Sequence, residues 1–297
     1  MDWLFFALLP PALWATLNIM DKFFLTKYIK SPYSYQVIIA LSNILILPVF
    51  PLVSEISFVY PWSLYSLIVG AFSFLTFILY NKAMKLEEPS RVSIMSNLTP
   101  IMTLFMAYFL LGERLFPLQY IGILAIISGA FLISYKKTKN KFKLSPAILI
   151  MLIFAINIAA YQIIAKYFFS EIDYFSYNFW NALGLFLSTF IFLMNKKIRK
   201  DFLNEPFKFD KGVWFWRFVG TYIYFAGLLS FYFAVDTGFV SLASVFTSTQ
   251  SMFVIVYSCI LSFFMPGAIE EEINKKTVLL KVISASLIIL GAYLIII

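Results

Sequence analysis

The strongest constraint on this chain is a series of long, uninterrupted apolar segments. A helix that crosses the hydrocarbon core of a bilayer needs about 20 mainly apolar residues. The segments lack the period-two alternation of membrane β-strands. The sequence therefore predicts an all-α, polytopic membrane protein with ten transmembrane helices. These are predicted at residues 3–20, 34–53, 62–81, 92–111, 117–135, 146–165, 174–194, 213–235, 240–264 and 277–297.

Composition supports a lipid environment. Hydrophobic residues make up 62% of the 297 and charged residues 13%, whereas a soluble domain carries about 25% charged residues. The sequence contains no histidine, which excludes His-based zinc sites and Ser-His-Asp triads. The single cysteine, Cys259, lies in an apolar segment and cannot form an intramolecular disulfide. We predict no metal site and no cofactor.

The basic residues indicate the orientation of the helices. The net charge is +8, but Lys and Arg cluster between the apolar segments, as in "KKTKNK" from Lys136. Such juxtamembrane clusters argue against a nucleic-acid partner. Loops that join an odd helix to the next even one carry 19 Lys and Arg, whereas the other loops and the termini carry two. The positive-inside rule predicts a cytoplasmic-membrane protein with loops 5–6 and 7–8 in the cytoplasm and both termini outside.

The two halves of the chain resemble each other. "NIMDKFFL" from Asn18 aligns with "QIIAKYFF" from Gln162, "SYQ" from Ser34 with "SYN" from Ser176, and the pair at 69–70 with the pair at 219–220. We predict two five-helix repeats, residues 1–141 and 142–297. Because five is odd, the second repeat enters the membrane inverted. Inverted repeats are a recurring transporter plan, although duplication kept only for stable packing is an alternative.

Two segments carry a family resemblance. The segment "LLGERLFPLQYIGILAIISGAFLI", residues 110–133, resembles the EamA branch of the drug/metabolite transporter (DMT) superfamily, and so does "AMKLEEPSRVSIMSNLTPIMTLFMAYFLLGE" just before it. The resemblance implies a ten-helix permease whose helices 1, 3, 4, 6, 8 and 9 border a central cavity. It implies a gating or structural motif at Pro100, Gly112 and Glu113. The second half lacks a Gly-Glu pair where "FFMPGAIEEE" stands, and the predicted orientation is opposite to the one usual in the family.

Uncharged polar residues within the apolar segments are the candidate solute ligands. Burying them costs free energy unless they are paired or face a cavity. Trp14 and Asn18 lie four residues apart and so share a helical face, as do Asn157 and Tyr161. The alternative is interhelical hydrogen bonding, which is worth about 0.6 kcal/mol on average in membranes. The predicted substrate-binding residues are Trp14, Asn18, Tyr80, Asn97, Asn157, Tyr161, Thr247 and Gln250.

The charged residues are predicted at helix ends. Asp21 and Lys22 are expected at the membrane interface as an exposed pair, and Lys166 and Asp236 are expected to extend to the interface from the ends of helices 6 and 8. No carboxylate is expected at the middle of a span. This pattern disfavours proton-coupled export of organic cations, which needs a membrane carboxylate, although Asp21 could serve if helix 1 runs deeper than predicted. Pro10 and Pro11 early in helix 1 permit a bend.

These features predict a transporter rather than an enzyme. It would move a small metabolite, such as an amino acid or a similar solute, by alternating access. The first alternative is a flippase for a lipid-linked sugar or phospholipid, which would need a lateral opening with basic residues at its mouth. An intramembrane enzyme and a scaffold subunit are two others. The predicted partners are the lipid bilayer and the solute, and whether the chain forms a homodimer is left open.

Overall fold

The computed structural model describes residues 2–112, 116–138, 141–204, 211–264 and 274–296. These residues are almost wholly helical, with a short antiparallel hairpin, β1 (Tyr135–Thr138) and β2 (Lys141–Leu144), in the loop before α8. The helices are α1 (Asp2–Lys27), α2 (Pro32–Ser42), α3 (Phe50–Val53), α4 (Trp62–Leu86), α5 (Pro89–Ser96), α6 (Leu98–Leu111), α7 (Pro117–Ser134), α8 (Ala147–Phe168), α9 (Tyr174–Leu193), α10 (Lys196–Asn204), α11 (Lys211–Thr237), α12 (Val240–Phe246), α13 (Gln250–Phe264) and α14 (Lys275–Ile296).

The described part of the chain has six helical stretches long and apolar enough to cross a membrane. There are seven if α9 and α10, which meet at a bend of 104°, form one stretch. The protein is therefore a multi-pass α-helical membrane protein. The six stretches are Pro32–Val53, Trp62–Leu86, Pro89–Leu111, Ala147–Phe168, Trp214–Thr237 and Ala243–Phe264.

Two of these stretches are interrupted where proline removes a backbone donor. Between α2 and α3 the chain forms two 3-10 turns, and Pro48 lies in the second of them. The break between α5 and α6 falls at Asn97. In a regular α-helix the N–H of residue 100 would donate to the carbonyl of Ser96, four residues earlier. Pro100 has no N–H, so the helix cannot continue regularly there. Pro100, predicted as part of a gating or structural motif, therefore lies beside a helix break.

The third interruption, between α12 and α13, contains no proline. Residues Thr247–Thr249 form a 3-10 turn. The Thr247 hydroxyl donates to the carbonyl of Ser244 at 2.6 Å, and the Thr249 hydroxyl donates to the carbonyl of Phe246 at 2.8 Å. Hydroxyls that bond to the preceding turn compete with the regular backbone ladder and bend helices. This break follows from the run of Ser and Thr.

Two glycines bring α4 and α9 into backbone contact. A Cβ atom at Gly70 would lie 1.9 Å from the carbonyl oxygen of Asn181, and one at Gly184 would lie 1.9 Å from the carbonyl oxygen of Leu67. Only residues without a side chain permit this approach. Elsewhere α7 packs along α14 through Gly129 and Gly291.

Helix α1 differs most from its prediction. It continues to Lys27, seven residues beyond the predicted end, and runs through Pro10 and Pro11 as one helix. Asp21 and Lys22 therefore lie within the helix and are 8% and 3% exposed. The expectation that they form an exposed interfacial pair is wrong, because each has partners on neighbouring helices that offset the cost of burial.

The connection between α9 and α11 contains a further helix. The loop at 195–212 contains α10, whose Ile198 and Phe202 pack on the cluster around Val37 and Phe74. Its lysines and Arg199 are largely exposed.

Lys166, expected to extend toward the interface, instead donates to the carbonyls of Val235, Asp236 and Gly238 at 2.8–3.0 Å. It thereby satisfies carbonyls that the end of α11 leaves without helical partners.

Candidate functional site

A cavity of about 200 Å³ lies among the helices. A single water molecule needs only about 10–15 Å³ of such space, so the cavity accommodates a small organic solute. Its walls come from α1, α4, α5, α6, α8, α11 and the α12–α13 break, as the family resemblance implied, and also from α2 and α9. Within the described residues, α7 and α14 contribute no lining side chain.

Aromatic side chains form much of the wall. The rings of Phe77 and Tyr224 meet edge to face with centroids 6.0 Å apart, and those of Trp14 and Phe231 are 5.7 Å apart. Edge-to-face and tilted pairs at this spacing hold the rings in fixed positions. The lining therefore offers flat apolar faces with a few polar tips. Its aromatic members are Trp14, Phe77, Tyr80, Phe154, Tyr161, Tyr224, Phe231 and Tyr232.

A chain of side-chain hydrogen bonds crosses the cavity wall between the two halves. Gln250 Nε2 on α13 donates to Asn18 Oδ1 on α1 at 2.7 Å. Asn18 Nδ2 in turn donates to Tyr80 Oη on α4 at 2.5 Å. On the other side, the hydroxyls of Thr76 and Tyr161 are 2.8 Å apart. These polar groups line the cavity or border it, and their mutual bonds hold α1, α4, α8 and α13 in register.

An ion pair lies at the end of the cavity nearest the basic loops. Arg217 Nη1 on α11 is 3.2 Å from Asp21 Oδ1 and 3.0 Å from Tyr35 Oη. Tyr35 Oη also donates to Asp21 Oδ1, and Tyr80 Oη donates to Asp21 Oδ2 at 3.3 Å. Asp21 and Arg217 are 8% and 5% exposed. Three donors converge on one carboxylate, as expected for its ionised form.

A second polar pair lies on α2 and α4. Asn81 Nδ2 donates to Gln36 Oε1 at 3.0 Å, and both residues are fully buried and line the cavity. Gln36 Nε2 and Asn81 Oδ1 have no hydrogen-bond partner among the described residues. Buried amides are normally satisfied, but these two atoms expose almost no surface and lie behind the cavity wall rather than open to it.

The structure brings together six of the eight predicted ligands. Trp14, Asn18, Tyr80, Tyr161, Thr247 and Gln250 line the cavity. Asn97 is buried beside it and donates to Ser251 Oγ at 3.2 Å, which joins the two helix breaks. Asn157 is partly exposed and lies outside the lining. Solute binding by all eight remains a prediction.

The three residues of the predicted gating or structural motif have different surroundings. Pro100 is buried next to the α5–α6 break. Gly112 ends α6 in the left-handed conformation, with φ of 70°, and its N–H bonds to the carbonyl of Ala107, so it acts as a C-cap that favours glycine. Glu113 lies outside the described residues.

Sequence reasoning missed Asp21, Arg217, Gln36 and Asn81 as cavity residues. Asp21 was predicted at the membrane interface, whereas both Asp21 and Arg217 carry a charge inside a helix that an ion pair must offset. That charge was the available signal. The aromatic residues of α11 gave no such signal, because aromatic side chains face lipid, core and cavity alike.

The fold and the site define the class of the protein: a multi-pass helical membrane protein with a polar, aromatic cavity between its helices. Residues 1–135 match the EamA-like transporter family. This match over the first part of the chain confirms the resemblance to the EamA branch of the DMT superfamily, and it is a likeness to a family of membrane transporters.

Comparison with solved structures extends the likeness to the whole chain. One structure, described as "Crystal structure of protein", is 17% identical and superposes with a TM-score of 0.68. The match covers 100% of this chain and 99% of the other. At this identity the likeness shows the fold alone. No curated protein matches the chain significantly.

Proposed function

We propose that the protein moves a small metabolite, such as an amino acid or similar solute, across the cytoplasmic membrane by alternating access. The observation that carries the proposal is the cavity, whose walls come from both halves of the chain. Solute would contact Trp14, Tyr161 and the Asn18–Gln250 amides. Transporters bind solute between repeats near the membrane midplane and expose the site to each side in turn.

The proposal includes ten transmembrane helices in two inverted repeats, at 1–141 and 142–297. Helices α1, α7, α9 and α14, which contain 26, 18, 20 and 22 residues, would complete the ten. The repeat receives support from two lysines at matching positions in the aligned segments. Lys22 donates to the carbonyls of Met84 and Glu87 at the end of α4, just as Lys166 does at the end of α11.

Helix packing and helix breaks also support the repeat. Helix α1 packs on α11 as α8 packs on α4, and α8 packs on α6 as α1 packs on α13. The break at Asn97 corresponds to the break at 247–249, seven residues beyond Ser90 and Ser241 respectively. Discontinuous helices at a midplane site are a recurrent device of transporters. These breaks would permit segments on either side of the cavity to tilt separately.

Uptake into proteoliposomes tests the proposal. The panel would contain amino acids, nucleosides and organic cations, and saturable uptake of one class is expected. Tyr80→Phe, which removes a hydroxyl bonded to both Asn18 and Asp21, should lower transport about tenfold, a change equivalent to 1.4 kcal/mol. Tyr293→Phe, at an exposed position on α14, is the matched control and should not change uptake. No uptake of any solute would refute the function.

The proposed orientation has both termini outside and the basic loops in the cytoplasm. Single cysteines in place of Glu171 and Lys197, both exposed, would report it in a Cys259→Ala background. A membrane-impermeant maleimide added to intact cells should label the cysteine at position 171 and not the one at 197. The reverse pattern would establish the opposite orientation.

A further inference from the structure

We infer that the Asp21–Arg217 pair makes the cavity selective for solutes without net charge, and for zwitterions above all. The inference rests on the proposed transport function and names the class of solute that the same cavity would accept. Among the lining residues, all of which lie in the described part of the chain, Asp21 and Arg217 are the charged ones. They are opposite in sign and 3.2 Å apart, so the wall carries no net charge.

A solute with a single charge would meet no net counter-charge in this cavity. A cation that approaches Asp21 also approaches the guanidinium beside it, and an anion that approaches Arg217 also approaches the carboxylate. Charge moved from water into a site of low polarity is unfavourable unless it is compensated. The remaining wall is largely aromatic and amide in character and supplies no further full charge.

A zwitterion can satisfy both members of the pair at once. Its carboxylate would face Arg217 and its ammonium group would face Asp21, so that two opposed dipoles lie side by side. The Tyr80 ring, whose hydroxyl reaches Asp21 Oδ2, would add an aromatic surface near the ammonium group. The aromatic wall would accommodate an apolar side chain on the same solute.

The ion pair keeps a small surface on the cavity side for such a ligand. Asp21 accepts from Arg217, Tyr35 and Tyr80, and its side chain is 11% exposed. The Arg217 side chain is 6% exposed. Because both residues line the cavity, the two ends of a zwitterion would contact the pair from within the cavity.

The test uses three probes that share one ring and chain length: phenylalanine, phenethylamine and 3-phenylpropanoate. Binding to the purified protein in detergent is measured by calorimetry, and uptake is measured in proteoliposomes. The unmodified protein should bind phenylalanine at least about tenfold more tightly than either ion. Asp21→Asn should favour 3-phenylpropanoate over phenethylamine by about tenfold, and Arg217→Gln should reverse that ratio. The double variant should lose the preference for the zwitterion.

Matched controls separate selectivity from folding. Glu171→Gln and Lys197→Gln remove equivalent charges at exposed positions and should leave all ratios unchanged. Each comparison is a ratio of two affinities from one preparation, so a smaller folded fraction does not alter it. Arg217→Lys keeps the charge and should keep the preference for phenylalanine, which provides a second reading if Arg217→Gln does not fold.

The outcomes distinguish the two proposals. Opposite shifts in the two single variants support the inference, because a purely structural ion pair would not exchange cation for anion preference. Equal shifts, or unchanged ratios, overturn it while leaving transport intact. Binding with the expected ratios but no uptake of any probe would support the charge selectivity and refute transport. No binding and no uptake across the panel would refute both.

Discussion

The ends of α1 and α8 carry matching sequences but have different surroundings. In both, a lysine donates to the backbone carbonyls that end a neighbouring helix: Lys22 to α4 and Lys166 to α11. One residue earlier they differ, because α1 has Asp21 and α8 has Ala165. Asp21 is paired with Arg217 at one end of the cavity, and the residue that corresponds to Arg217 in the first half is Leu67.

This difference shows which features the two halves of the proposed repeat share and which are particular to one half. The capping lysines satisfy helix ends, a requirement that both halves share. The ion pair is not duplicated, and it forms only because α1 of one half lies beside α11 of the other. The charged groups of the cavity lining therefore lie together at one end. Variants that make the halves more alike test how much of the structure depends on that asymmetry.

The largest effect is expected for Arg217→Leu, which gives the position the residue of its counterpart. Asp21 would remain buried without a cationic partner, and breaking a buried pair in this way costs about 3–5 kcal/mol. SDS titration in mixed micelles measures the free energy of unfolding. The double variant Asp21→Ala, Arg217→Leu should recover most of the loss, and equal stability of the single and double variants would show that the pair is not coupled.

A smaller effect is expected for Gly70→Ala. The new Cβ would meet the Asn181 carbonyl oxygen, and overpacking of this kind costs about 1–3 kcal/mol. The matching residue of the second half, Gly220, faces the flexible end of Met20 at 3.2 Å, so Gly220→Ala should be tolerated. Unfolding of both variants in the same titration gives the comparison. Equal losses would mean that the α4–α9 approach has no special constraint.

The capping lysines should have similar but unequal effects. Lys22→Met and Lys166→Met each leave backbone carbonyls without a donor, at a cost of about 1–3 kcal/mol. Lys22 is 3% exposed, whereas Lys166 is partly exposed, so water can replace the second lysine more easily. Thermal unfolding followed by tryptophan fluorescence should give a lower midpoint for Lys22→Met. The opposite order would contradict the argument that water replaces the more exposed lysine.

The smallest effect concerns the hydrogen bond between the two helix breaks. A double-mutant cycle of Asn97→Ala and Ser251→Ala should give a coupling free energy of about 0.6 kcal/mol, the average for such bonds in membranes. A coupling of zero within error would indicate that the breaks are held only by packing.

Sequence reasoning identified the features that depend on local chemistry. Amides such as Asn18 and Gln250 in apolar helices need polar partners or a cavity wherever the helix lies, and both prove to line the cavity. Pro100 breaks a helix for a reason confined to its own turn. The family segment after Leu110 was recognisable for the same reason, since its pattern is contiguous.

The missed features depend on contacts between distant segments. The partner of Asp21 lies 196 residues further along the chain, so the residues around Asp21 do not show which cation offsets its charge. The contact of Gly70 with Asn181 depends on how α4 meets α9. The break at 247–249 was not expected because hydroxyl bonding to the backbone is an option for any Ser or Thr in a helix.

The glycine contact between α4 and α9 limits how the molecule can move. Because their backbones touch at Gly70 and Gly184, these two helices cannot slide or separate without exposing a seam that no side chain fills. They belong to different halves of the chain, yet they must travel together. In the proposed transport cycle, the units that change position would therefore draw helices from both proposed repeats, and the boundary of motion would not coincide with the boundary between the repeats.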